Sequence, residues 1–326
     1  MMKIRLATIF TIFLLTIVLS MAGPEGEKPL PSWNKGEARE RIIKFVDSVT
    51  DKNSKNYITP ENRVAVFDND GTLWVEKPVY IQFEYEFYFM KKMAEQNPAL
   101  REIQPYKASY TDDKTYLYGD EPVEYYEKMI NNHKGTTQED YKKDVDYFLS
   151  TKTHSKFKRH YIELTYLPMV ELVHYLQKNA FKVYIVSGGE VTFMRRISEK
   201  IYNIPVENII GSFVSYEFDV PDCKGERLII RGEIINIDDG ANKPLNIELF
   251  TGRRAVFAFG NSNGDMEMLQ YTADNGGLAL LLHHDDDVRE YAYDKGAREV
   301  LNLAAKEKKI TVVSMKRDFK RIFSFE

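Results

Sequence analysis

The sequence predicts an α/β fold: a doubly wound parallel sheet with a mostly helical cap inserted after the first core strand. Three observations point there. Short apolar runs at 63–67, 182–186 and 255–259 each open into polar, glycine-containing residues, as buried parallel strands do at their carboxyl ends. Helical apolar spacing separates the later runs, so strands alternate with helices. Residues 75–164, by contrast, carry no buried-strand signal and hold 17 Phe and Tyr. In such sheets the ligand sites lie outside the carboxyl ends of the strands.

Composition narrows the class further. The 326 residues are 43% hydrophobic and 29% charged, a globular mix that excludes disordered, collagen-like and coiled-coil chains. A net charge of −4 offers no field to draw nucleic acid or anionic lipid. The single cysteine, Cys223, excludes an intrachain disulfide and a Cys-rich zinc site.

Residues 1–22 read as a targeting segment. Lys3 and Arg5 precede the uncharged run 6–18, and Ser20 and Ala22 supply the small residues of a signal-peptidase site. Cleavage after Ala22 would export the chain to the periplasm or the exterior with a net charge of −6 and no stable membrane association. A retained N-terminal anchor is the alternative. The uncharged stretch is at the short end for crossing a hydrocarbon core about 30 Å thick.

The remaining elements follow in order. Residues 23–62 form a Pro/Gly-rich linker and an amphipathic helix carrying Ile42, Ile43, Phe45, Val46 and Val49. Residues 63–74 and 165–326 make the core, with a helix over 169–176 and further strands at 278–282 and 311–314. Residues 75–164 make the cap. There Pro122 suits a helix start, and Thr136 with Glu139 forms a capping box for a helix through Tyr141, Val145 and Phe148. Phe83, Phe87 and Met90 recur at helical spacing and read as cap core. Between 213 and 237, two β-rich runs flank a turn at 222–225, a β-hairpin.

The chemistry concentrates after the first strand, in Asp68-Asn69-Asp70-Gly71-Thr72-Leu73. Two carboxylates two residues apart at a strand end can face one crevice, one as nucleophile and the other as proton donor, with a cation offsetting their repulsion. Gly71 lets the backbone turn and present amide groups to an anion.

This segment resembles motif I of the haloacid dehalogenase (HAD) superfamily. Val186-Ser187-Gly188-Gly189 is similar to its motif II, Lys243-Pro244 to motif III and residues 260–265 (GNSNGD) to motif IV. The likeness spans 63–326 and is nearest to the phosphoserine-phosphatase-like branch, among exported hydrolases with FDNDGTLW, VSGG, GNSxGD and HH-x-D signatures. It implies a HAD-like Rossmannoid core and a magnesium-dependent phosphomonoesterase acting on a small phosphate ester.

In the implied mechanism Asp68 attacks phosphorus and becomes an aspartyl-phosphate, while Asp70 protonates the leaving alcohol and then activates water. Ser187, Gly188 and neighbouring amides hold the phosphoryl oxygens, and Lys243 neutralises charge. Mg²⁺ falls to Asp68, Asp70 through its main-chain carbonyl, Asn261 and Asp265. General chemistry agrees, because phosphoryl transfer needs positioning and cations on the equatorial oxygens. One departure stands out: the branch has aspartate where this chain has Asn261, which keeps a hard oxygen donor but loses a charge. Asp265 is expected to compensate, directly or through water.

Other features read as structural. The run His283-His284-Asp285-Asp286-Asp287 has metal-ligand composition but is expected to follow a strand and open a helix. The basic stretch 152–160 is expected to be a solvated face. Two rival functions remain, a catalytically weak phosphate-ligand-binding protein and a 2-haloacid dehalogenase. The second does not need Asp70. A P-type ATPase is excluded, because DKTGT and membrane helices are absent.

Overall fold

The computed structural model describes residues 29–119, 129–221 and 225–326. The targeting segment 1–22, Pro122 and Cys223 lie outside the described residues. At the centre is β1 (Val64–Phe67), whose four apolar residues are all buried. It pairs in parallel with β2 (Lys182–Glu190) on one side and β5 (Phe257–Gly260) on the other, with Phe67 opposite Ile185 and Phe259. β3 (Ile209–Asp219) continues in parallel beyond β2, and β6 (Leu278–Asp285) beyond β5. β8 (Ile310–Ser314) pairs in parallel with β6. Antiparallel strands close the edges: β4 (Arg227–Asn236) on β3, and the short β7 (Ala292–Tyr293) on β6. The eight-stranded sheet runs β4-β3-β2-β1-β5-β6-β7 with β8 branching from β6.

Alternation along β1 explains the two layers. Ala65 and Phe67 point into one core with Ile42, Val46 and Val49 of the helix Glu37–Thr50 and with Met169, Leu172 and Leu176 of the helix Leu167–Lys178. Val64 and Val66 face a second core with Ile247, Met268, Leu269 and Val300 from three helices on the opposite side. Both faces are covered by helices, the doubly wound arrangement the apolar runs predict. The chain leaves β1 for β2 on one side and reaches β5 on the other. β1 therefore ends at the switch point where a crevice must open.

Between β1 and β2 the described chain is mostly helical, including Ile81–Gln96 and Gln138–Thr151. Phe87 and Met90 are buried with Ala108, Leu117 and Met129 in a small core of their own. Phe83 differs: it is only partly buried and reaches the crevice. The helix Gln138–Thr151 is capped by Thr137, whose hydroxyl accepts from the Asp140 amide, one residue later than the capping box read from Thr136 and Glu139. The 213–237 hairpin is β3 and β4, added to the sheet edge. No helix follows the His-His-Asp run. β6 ends at Asp285 and the chain turns back into β7, because Asp285 and Asp286 are taken by Ser314 and Arg289. Among the described residues no helix is long and apolar enough to cross a membrane.

Candidate active site

Asp68 is the first residue beyond β1, and its amide donates to the Phe259 carbonyl at 2.9 Å. The chain then turns tightly. The Asn69 carbonyl accepts from the amides of Thr72, Leu73 and Trp74, and the Gly71 amide donates to the Trp74 carbonyl at 2.8 Å. Gly71 sits at φ 73°, where only glycine is relaxed. A Cβ there would lie 2.1 Å from Asn261 Nδ2, so the turn also needs glycine for space. This turn faces Asp68 and Asp70 into one pocket together with Ser187, Gly188 and Lys243.

Lys243, only 2% exposed, comes from the first turn of the helix Asn242–Thr251. Its Nζ donates to Asp68 Oδ1 at 2.8 Å, Asp265 Oδ1 at 2.6 Å and the Val186 carbonyl at 3.1 Å. Burial alone would lower the Lys243 pKa, but the carboxylates of Asp265, Asp68 and Asp238 reverse that and hold it well above the lysine range. It is a permanent cation. The other oxygen of Asp265 accepts from the Asn261 and Ser262 amides at 2.9 and 3.0 Å and from the Ser262 hydroxyl at 3.2 Å. Asp265 thus ties the lysine to the loop after β5.

The two motif-I carboxyls differ in surroundings. Asp68 is pushed well up by burial and by Asp265, with the Lys243 ammonium pulling the other way. Asp70 is pushed up to about 7 by burial, opposed by the Trp74 indole, which donates to Oδ1 at 2.8 Å. A carboxyl with that pKa exchanges its proton near neutral pH, as a general acid and base must.

The loops around the pocket are cross-tied. β2 runs on through Ser187-Gly188-Gly189 to Glu190, with a register shift against β3 at this point. The Gly189 amide folds back onto Ser187 Oγ at 3.2 Å, and Ser212 Oγ donates to the Gly188 carbonyl at 2.8 Å. Gln82, on the first inserted helix, accepts from the Glu190 amide at 2.8 Å, tying the insertion to the end of β2. Asn261 Oδ1 accepts from the Thr72 hydroxyl at 3.2 Å, and its Nδ2 donates to Glu76 Oε1 at 3.2 Å.

The family model for haloacid dehalogenase-like hydrolases matches residues 65–270, which include every residue just described. The chain belongs to that family. A search of the curated proteins gave no match. Among solved structures, this HAD chain is similar to a conserved protein of unknown function from Anaerococcus prevotii, with a TM-score of 0.53 and 16% identity over 85% of this chain and 91% of that one. It is also similar to a protein of unknown function from Bordetella pertussis, with a TM-score of 0.51 and 14% identity over 77% of this chain and 98% of that one. At such identities the likeness concerns the fold alone.

Several residues of this HAD site were not singled out in the sequence. Glu76 is buried beside Asp70, and burial raises its pKa despite Lys77 and His284 nearby. Trp74 holds Asp70, and Tyr80 and Asp239 line the pocket. His284 is buried, with Nε2 2.7 Å from the Gly71 carbonyl and Nδ1 3.2 Å from Glu290 Oε2. It braces the motif-I turn from behind, whereas His283 lies near Asp285. Adjacent strand residues face opposite ways, which a composition-based metal reading overlooks. Only their closeness to motif I marked Trp74 and Glu76, and nothing marked His284 as a brace. In the basic stretch, His154 is buried on the Lys77 carbonyl at 2.8 Å, and most of the remaining residues are exposed.

Proposed function

We propose that this chain is an exported phosphomonoesterase that hydrolyses a small phosphate ester through an aspartyl-phosphate, in the manner of the phosphoserine-phosphatase-like branch. One observation carries the reading: Asp68 is tethered by Lys243 at the strand end, beside a second carboxyl whose pKa is about 7. Asp68 attacks phosphorus with the oxygen that Lys243 does not hold, and the ammonium offsets charge on the nucleophile and the phosphoryl group. Asp70 gives its proton to the leaving alkoxide, then takes one from the water that opens the phosphoenzyme. Splitting the hydrolysis into two displacements makes each step easier. Ser187, Gly188 and Gly189 line the same pocket, and the Ser187 hydroxyl and the neighbouring backbone amides receive the phosphoryl oxygens. A dehalogenase would have no use for the Asp70 proton.

Magnesium fits the donors at hand. The Asp68 carboxylate, the Asp70 main-chain carbonyl and the Asn261 amide oxygen are hard oxygens on adjoining loops. Among the described residues no group of three or more His, Cys, Asp or Glu is gathered to hold a metal. Magnesium commonly uses one or two carboxylates and keeps several waters, so such a cluster is not required. When bound, the ion supplies positive charge to the phosphoryl oxygens as the bond to the leaving group breaks. Asp265 fixes Lys243 through Oδ1, and the remaining lone pair of that oxygen can take the ion or a water bound to it.

A panel of phosphomonoesters assayed with Mg²⁺ and with excess chelator tests the activity. Hydrolysis of none of them, or full activity in chelator, defeats the corresponding part of the reading. Export rests on residues 1–22. Mass spectrometry of the natively expressed protein is expected to find an N-terminus at Gly23, and an intact Met1 on a membrane-bound form would contradict it.

A further inference from the structure

Glu76 belongs to none of the four motifs, yet it shares the pocket wall with Asp68 and Asp70 and is only 5% exposed. Its Oε1 accepts from Asn261 Nδ2 at 3.2 Å, and the Asn261 oxygen takes the Thr72 hydroxyl at 3.2 Å. Both side chains crowd the Gly71 backbone: a Cβ there would stand 2.1 Å from Asn261 Nδ2 and 2.7 Å from Glu76 Cδ. Asn261, Glu76 and the peptide following Asp70 therefore form one packed unit.

We infer that Glu76 is a positioning residue of the cation site, orienting the Asn261 amide and supplying the negative charge that Asn261 lacks. The inference rests on the magnesium-dependent reading above and extends it to a residue outside the motifs. A primary amide has two ends of nearly equal shape, one donating and one accepting. An ionised carboxylate only accepts, so Glu76 takes the NH₂ end and turns the oxygen toward the Thr72 hydroxyl. That oxygen has a second lone pair for a cation. A hydrogen-bonded carboxylate behind a ligand also makes the ligand more basic, as outer partners do at many metal sites. The pair carries one negative charge, as an aspartate at position 261 with a neutral partner would. It also accounts for the asparagine. Aspartate at 261 would set two buried carboxylates at hydrogen-bond distance, and their repulsion would force one of them to take up a proton and lose its charge. Burial and the Glu290 carboxylate favour the neutral acid, while Lys77 Nζ, 3.9 Å from Glu76 Oε1, and His284 favour the ionised form.

The test is calorimetric titration of the full chain with MgCl₂ in the absence of substrate, so that binding is read apart from turnover. Glu76→Gln keeps the size and an accepting oxygen but loses the charge. It is expected to weaken Mg²⁺ binding by about 10–100-fold, the range for outer-shell substitutions. Its metal-free unfolding temperature should not fall, which separates this loss from misfolding. Glu76→Gln combined with Asn261→Asp moves the charge to the other member of the pair and should recover most of the affinity. Wild-type affinity in Glu76→Gln, or no recovery in the double variant, overturns the inference while leaving the phosphatase reading intact. No binding by the wild type overturns both. Should Glu76→Gln fail to fold, Glu76→Asp, which keeps the charge but withdraws it by one methylene, takes its place. Binding weaker than wild type supports the inference, and unchanged binding overturns it.

Discussion

Trp74→Phe removes a single hydrogen bond from the residue assigned as acid and base. The indole Nε1 donates to Asp70 Oδ1 at 2.8 Å and favours the carboxylate, whereas burial favours the neutral acid and sets the pKa at about 7. A hydrogen bond to a charged group contributes about 1.5–3 kcal/mol, and about 1.4 kcal/mol corresponds to one pKa unit. Complete loss would therefore raise the Asp70 pKa by about 1–2 units. Water entering the space left by the indole returns part of this, so a rise of about 1 unit is expected. Asp70 must be protonated to assist departure of an alkoxide, so kcat/KM falls as pH climbs past its pKa. The alkaline limb of the variant should accordingly move up by about one pH unit. The assay is kcat/KM against pH with an alkyl phosphate, whose poor leaving group makes the proton transfer matter. Phenylalanine retains an aromatic ring beside Phe193, and an unfolding curve checks that the core survives. An unmoved limb, or one displaced to lower pH in a folded variant, would refute the assignment of Asp70 or of its indole partner.

Four further variants probe the same site. Asp68→Asn should abolish turnover. Asp70→Asn should slow it by about 10²–10⁴-fold while still permitting acid-stable capture of phosphate, read by intact-mass spectrometry of quenched enzyme. Asp70→Asn should also be the more stable protein at pH 8. The folded pKa of Asp70 is raised, so its contribution to stability is full below the ordinary aspartate range and is lost as pH rises through about 7. Equal unfolding temperatures at pH 8 would argue against the burial effect. Lys243→Met leaves the Asp68 and Asp265 carboxylates buried without their cation, a loss of about 3–5 kcal/mol that denaturant titration at neutral pH should detect. Gly71→Ala places a methyl on Asn261 at a positive φ, and a fall of at least about 1 kcal/mol in unfolding free energy is expected.

The sequence by itself determined the sheet and the location of the chemistry. Runs such as 64–67 and 278–282 are apolar throughout because both faces of a parallel strand are covered, so the pattern is local and legible. The polar ends of those runs, read with the rule that sites lie beyond strand carboxyl ends, brought Asp68, Ser187 and the loop after β5 to one crevice. Tertiary structure alone decided how charge is distributed there. Asp265 reads as a cation ligand from its motif position, and the fold adds that its oxygens also hold Lys243 and the amides of Asn261 and Ser262. His284 looked like part of a metal-like run and instead holds the Gly71 carbonyl from a strand 213 residues away in sequence. Glu76 and Asn261, 185 residues apart, form a pair that neither position announces. Periodicity records which face of an element is buried, because solvent is excluded along the whole face. A buried hydrogen-bond partner is chosen by one contact between distant segments, and that contact exists only once the chain has folded.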